Sequence, residues 1–204
     1  YSKGNMLEQL QSVVKALIDD GDDDNGGPNA KFHLYSFSMG NFLALHYTRL
    51  YPERIQKIIL HSPWNAELNV FNPLFGKDTP LRLALNMPGL GSVGSSAVSK
   101  LWFPHCHDGE TFRQIILGMG EGDAEWTKLI DDLSQADVPS DVLLMCGTKE
   151  KPFYKLAKYI NDKFQRKSEL HAWPKGDHMT WCDDWDKPAG TFFRDHAYNF
   201  LTRD

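Results

Sequence analysis

The sequence predicts an α/β fold, a mostly parallel sheet flanked by helices, with a largely helical insertion near its middle. Three observations carry this. Short apolar runs of strand length alternate with stretches of helical periodicity, and such alternation builds parallel sheets covered by helices. Chain order gives helix, strand, helix, strand, an interruption, then strand, helix, strand, helix. The interruption carries no clear strand and holds several prolines and the Gly-rich "PGLGSVGSS". With 204 residues the chain suffices for one domain with a real core.

Met6, Leu7, Leu10, Val13, Val14, Leu17 and Ile18 recur at helical spacing, so residues 5–19 are expected to form an amphipathic helix ended by Gly21. The acidic "DDGDDDNGGPN" follows; it lacks the ligand spacing of an EF-hand and is expected to be a solvated loop. "KFHLYS" is expected to be a buried strand, and residues 40–51 a helix closed by Pro52. "RIQKIILHS", "SDVLLMCG" and "SELHAWP" are the next three strands. Phe153, Leu156, Ala157, Ile160 and Phe164 mark one helical face, and Phe192 to Leu201 another. Residues 1–63 and 134–204 thus make the core. Residues 64–133 make an inserted cap, with helical stretches near 81–87, 111–119 and 125–133.

The bulk numbers exclude several classes. A net charge of −5 without a basic stripe argues against a nucleic-acid groove or an anionic membrane surface as partner. No apolar run reaches the roughly 18 residues that a membrane span needs. The three cysteines, Cys106, Cys146 and Cys182, are widely spaced and form no CxxC; this argues against a disulfide framework and favours a reducing, cytoplasmic compartment. "FPHCHDGETF" brings His105, Cys106, His107, Asp108 and Glu110 together, but no second cluster stands at a zinc spacing, so a polar turn is expected and no metal or cofactor.

The chemistry centres on "LYSFSMGNF", residues 34–42. A serine hydroxyl is a poor nucleophile at neutral pH and needs a base for its proton and donors for the oxyanion that forms. A sharp strand-to-helix turn serves both needs. It frees the side chain of Ser38 and aims the next backbone N–H, that of Met39, at the developing charge. The crowding of such a turn demands small residues two before and two after, here Ser36 and Gly40. The usual pattern is G-x-S-x-G, and this chain has S-x-S-x-G. A loop serine, or a helix N-cap, is the competing interpretation of Ser38.

"YSFSMGNFLALHYTRLYPERIQKIILHSP" resembles the elbow, helix and following strand of the α/β-hydrolase superfamily. "DVPSDVLLMCGTKE" is similar to its segment carrying the catalytic acid, and "HAWPKGDHM" to the loop carrying the catalytic histidine. The resemblance implies a serine hydrolase of esterase or lipase type, with Ser38 as nucleophile, Glu150 as acid and His178 as base. It implies cleavage of an ester, thioester or amide through an acyl-enzyme, with no cofactor. Asp177, Asp183 and Glu67 are the alternative acids. The family also has earlier strands and a second oxyanion donor, often in an HG segment, that do not precede Ser38 here. The chain is therefore expected to be the C-terminal portion of a larger hydrolase, with an open edge at its first strand, and weakly active or poorly soluble alone. Apolar cap residues such as Phe71, Leu74, Phe75, Trp102 and Phe103 suit a small hydrophobic acyl substrate, or else pack the cap onto the sheet. Oligomeric state is left open. Two other functions fit the same residues: a non-catalytic binding protein, toward which Ser36, Asn41 and Glu150 depart from the family's usual residues, and the same triad used as a haloperoxidase or C–C hydrolase. Haloalkane dehalogenation is disfavoured, because it needs a carboxylate where Ser38 stands.

Overall fold

A computed structural model describes residues 3–20, 27–63, 80–87, 123–136, 141–178 and 187–203. Among these are α1 (Lys3–Val14), β1 (Phe32–Phe37), α2 (Gly40–Leu50), β2 (Ile55–His61), α3 (Pro80–Asn86), α4 (Asp123–Gln135), β3 (Asp141–Gly147), α5 (Lys151–Phe164), β4 (Ser168–Trp173) and α6 (Pro188–Thr202). The strands form one four-stranded sheet in the order β1-β2-β3-β4, every neighbouring pair parallel. This is a parallel sheet flanked by helices, as the sequence predicts.

The chain divides into two compact units, Tyr1–Lys3 with Ala66–Glu125, and Gly4–Asn65 with Trp126–Asp204. The described part of the first is mainly α3. The expected helix near 111–119 and the cluster from His105 to Glu110 lie outside the described residues, as do Glu67, Asp183 and most of the acidic loop.

The second unit holds the sheet, and its centre is apolar and buried. Ile58, Ile59, Leu60, Leu143 and Leu144 are buried almost completely, as in parallel strands with helices over both faces. Each such side chain contributes about 1.5–3 kcal/mol relative to exposure. Alternation sends Ile59, Leu143 and Met145 to one face, where Phe193 and Phe200 of α6 complete a core cluster. The Lys57 ammonium fastens the same helix. It is buried and donates to the carbonyls of Phe200 (3.0 Å), Leu201 (3.4 Å) and Arg203 at the helix C-terminus, where the dipole favours a cation. Phe153, Leu156, Ala157 and Ile160 form the buried stripe of α5.

Two expectations need correction. β1 is not a buried strand: only Ser36 in it is buried, and Tyr35 is half exposed, because β1 is the edge of this sheet and pairs with β2 alone among the described residues. The first helix is not uniformly α-helical. After Val14 it widens into one π-helical turn, Lys15–Asp19, closed by the Asp20 N–H on the Lys15 carbonyl. That turn delivers Asp19 to Arg54, which donates to it at 2.6 Å and to the Ala30 carbonyl at 2.9 Å. The arginine of "YPERI" thus ties the end of the first helix to the approach to β1.

Candidate active site

Because the four strands are parallel, their carboxyl ends lie along one edge, and four loops leave from it. The ladder runs one residue past three strands. Ser38 N–H donates to the His61 carbonyl (2.9 Å), Ser62 N–H to that of Met145 (2.7 Å) and Thr148 N–H to that of Trp173 (3.0 Å). The sheet register therefore fixes where each loop begins. Four described non-glycine residues have positive φ, and three of them follow strands at this edge: Ser38 (53°) after β1, Ser62 (44°) after β2 and Lys175 (60°) after β4. A left-handed backbone costs a side chain about 1–3 kcal/mol, and such strain clusters at functional sites.

The structure brings Ser38, Glu150 and His178 together. His178 Nε2 lies 3.0 Å from Ser38 Oγ, and its Nδ1 lies 2.7 Å from Glu150 Oε2. A carboxylate only accepts, so Nδ1 carries the proton and Nε2 presents its lone pair to the serine hydroxyl. The Glu150 side chain is 2% exposed and that of His178 29%. The other oxygen of Glu150, Oε1, accepts from the Ser62 hydroxyl at 2.8 Å and the Gly147 N–H at 2.6 Å. Buried charge is tolerated when hydrogen-bonded in this way. Asp177 is exposed, and Glu150, not its neighbour in sequence, is the carboxylate on His178 Nδ1.

The loops carrying the acid and the histidine are laced together. Lys149 N–H donates to the Gly176 carbonyl (2.8 Å), and Lys175 N–H to Thr148 Oγ1 (2.7 Å). Gly147 and Gly176 touch backbone to backbone, and a Cβ on Gly147 would fall 2.2 Å from the Gly176 oxygen. The imidazole of His178 is stacked by Phe37 (centroids 4.8 Å) and packed by the tilted ring of Phe153 (4.3 Å). Both rings restrict its rotation and attract it when it is protonated.

Next to this group His61 ends β2, fully buried, its Nδ1 2.6 Å from the Tyr35 hydroxyl. Burial first, and the nearby His178 second, push its pKa down to about 3, so it stays neutral. Burial, with Glu150 adding its charge, pushes the Cys146 thiol up to about 12; it is an inert core group. Among the described residues no group of three or more His, Cys, Asp or Glu is arranged to hold a metal ion, and no described helix is long and apolar enough to cross a membrane.

The crowding expected at Gly40 is milder than the turn pattern implies. A Cβ there would meet only the Ser36 Cβ, at 3.9 Å, which is ordinary contact. The departures at Ser36 and Asn41 are partners: Ser36 Oγ donates to Asn41 Oδ1 at 2.8 Å, both side chains buried. Sequence reasoning missed this pairing, and also missed Ser62 and the two phenyl rings. The available signal for Ser62 was its place directly after β2, matching that of Ser38 after β1.

Residues 26–90 match the family model described as alpha/beta hydrolase fold. No curated protein matches the chain. Among solved structures, an enol-lactonase from Burkholderia xenovorans is similar at 13% identity and TM-score 0.63, over 100% of this chain and 74% of that one. A haloalkane dehalogenase from Agrobacterium tumefaciens is similar at 16% identity and TM-score 0.62, over 100% and 73%. A carboxylesterase of the thaumarchaeon Nitrososphaera gargenis is similar at 14% identity and TM-score 0.59, over 98% and 72%. Sheet order, parallel register, the elbow at Ser38 and these likenesses agree: the chain has the α/β-hydrolase fold.

Proposed function

We propose that the protein is a serine hydrolase cleaving a carboxylic ester, thioester or amide through an acyl-enzyme on Ser38. The observation that carries this is the continuous chain of hydrogen bonds Ser38–His178–Glu150, at 3.0 and 2.7 Å, across the carboxyl edge of a parallel sheet. His178 takes the proton of Ser38 as the oxygen attacks the carbonyl carbon, and returns it to the leaving group as the tetrahedral intermediate collapses. Water then enters by the same route and releases the acid. Glu150 holds the tautomer that keeps Nε2 basic and offsets the charge of the imidazolium. The Met39 N–H, at the start of α2, is the oxyanion donor on this side.

The substrate proposed is a small molecule with a hydrophobic acyl group, and residues 64–133 are proposed as the cap over the site. Both rest on the apolar content of that segment. The carboxylesterase and the enol-lactonase among the similar folds are consistent with ester chemistry. The test is a fluorophosphonate probe, which modifies only an activated serine. Labelling at Ser38, abolished by Ser38→Ala and by His178→Ala, supports the proposal. A folded protein that resists the probe refutes it.

A further inference from the structure

We propose that Asn41 is a positioning residue for the oxyanion donor, acting through the peptide that joins Ser38 to Met39. This rests on the hydrolase reading of the site and adds a residue to it.

Asn41 is fully buried, and its amide is spoken for at both ends. Nδ2 donates to the Ser38 carbonyl at 2.6 Å and to the His61 carbonyl at 3.0 Å, and Oδ1 accepts from Ser36 Oγ at 2.8 Å. Only this orientation of the amide satisfies all three, since two carbonyls need donors and the hydroxyl needs an acceptor. The Ser38 carbonyl already has the Asn41 backbone N–H, at 3.1 Å, as the first turn of α2 requires. The side chain is therefore a second donor to the same oxygen.

The geometric consequence follows from planarity. The Ser38–Met39 peptide is trans, so the Met39 N–H points opposite to the Ser38 carbonyl. Two donors on that carbonyl fix the plane, and fixing the plane fixes the direction of the N–H. Ser38 sits at φ 53°, where the backbone has little intrinsic preference to stay. The His61 carbonyl ties the same amide to the end of β2, so the elbow is referenced to the sheet and not only to its own helix. Ser36 orients the amide and can turn instead to the Ile59 carbonyl, 3.2 Å away.

Asn41→Ala tests this with no carbonyl orphaned. The Ser38 carbonyl keeps the backbone N–H, and the His61 carbonyl keeps the N–H of Ser38. The second variant, Ser36→Gly with Asn41→Gly, removes both polar partners together, which leaves neither unsatisfied. Kinetics on p-nitrophenyl esters, the inhibition constant of an alkyl boronic acid that forms a tetrahedral adduct on the serine, and thermal melting are measured on all three proteins. The expected result is kcat lower by about tenfold, a fraction of the loss seen when an oxyanion donor is removed outright. KM stays within about twofold, and the boronic acid weakens by the same factor as kcat/KM, because both report the tetrahedral state. Melting temperatures that fall while kcat and boronic acid affinity hold would make Asn41 a structural residue and overturn the proposal. Wild-type protein that a fluorophosphonate fails to label at Ser38 would overturn the hydrolase reading and this proposal together. A labelled wild type with an unchanged Asn41→Ala overturns this proposal alone.

Discussion

Ser62 donates its hydroxyl to Glu150 Oε1 at 2.8 Å, joining the residue just past β2 to the carboxylate that faces His178. Ser62 holds φ 44° to do so, in a region that a side chain enters only under constraint. Glu150 thus divides its two oxygens, Oε1 toward Ser62 and Gly147 and Oε2 toward the imidazole.

Removing that hydroxyl should be felt at the serine. Ser62→Ala leaves the Gly147 N–H as the remaining donor to Oε1, so the carboxylate is less firmly oriented. A hydrogen bond to a charged group is worth about 1.5–3 kcal/mol, and a loss of roughly tenfold or more in kcat/KM is expected. Glu150→Gln keeps the shape but offers the wrong tautomer to His178, and about 10⁴-fold is expected there, by analogy with the same change in other triads. Ester turnover of the two variants, side by side, checks the order. A Ser62→Ala enzyme more impaired than Glu150→Gln would contradict it.

The contact between Gly147 and Gly176 makes a sharper prediction about stability. A methyl at 147 collides with backbone atoms at 2.2 and 2.3 Å, and backbone cannot rotate away as a side chain does. The loop is held in place by Lys149 N–H on the Gly176 oxygen. Gly147→Ala should cost about 1–3 kcal/mol or more and displace His178 from Glu150. Gly40→Ala, whose Cβ finds open contact, should retain or raise the melting temperature. Thermal melts with probe labelling of both variants separate the outcomes: 147 loses both, 40 keeps its fold.

His61 gives the acid side of the stability curve a definite sign. In the unfolded chain it takes up a proton near 6.5, and in the fold only near 3. Between these values the unfolded state binds more protons, so stability falls as pH drops from about 6.5 toward 3. This one group sets the slope at up to about 1.4 kcal/mol per pH unit. Urea unfolding at pH 7, 6, 5 and 4 should show a shallower decline for His61→Asn than for the wild type. Parallel curves would assign the acid sensitivity to other groups.

The sheet was legible because parallel strands buried on both faces leave unbroken apolar runs, as in "KIILHS" and "DVLLMCG". The segments holding Ser38, Glu150 and His178 were legible because each follows such a run closely, and a strand end is a place the sequence marks. What surrounds them was hidden for a physical reason. Ser62 and Glu150, and Phe153 and His178, meet at the sheet edge, and Ser36 and Ile59 across two neighbouring strands; no local periodicity encodes a contact between distant segments. Ser36 and Asn41 lie only five apart, yet their bond needs a strand and a helix to meet at the angle set by a residue with φ 53°. The π-helical turn escaped for another reason: its apolar spacing is close to that of the α-helix that precedes it.

The bond between Ser38 and His178 spans 140 positions of the chain. Closing a loop of that length carries an entropic cost that the strand pairings and helix packing between its ends must offset. The contact cannot form from a local fragment, and it cannot outlive a slip in any of the three strand pairings between its ends. The geometry at this edge therefore depends on all three pairings together, and is lost when β1 parts from β2 or β3 from β4.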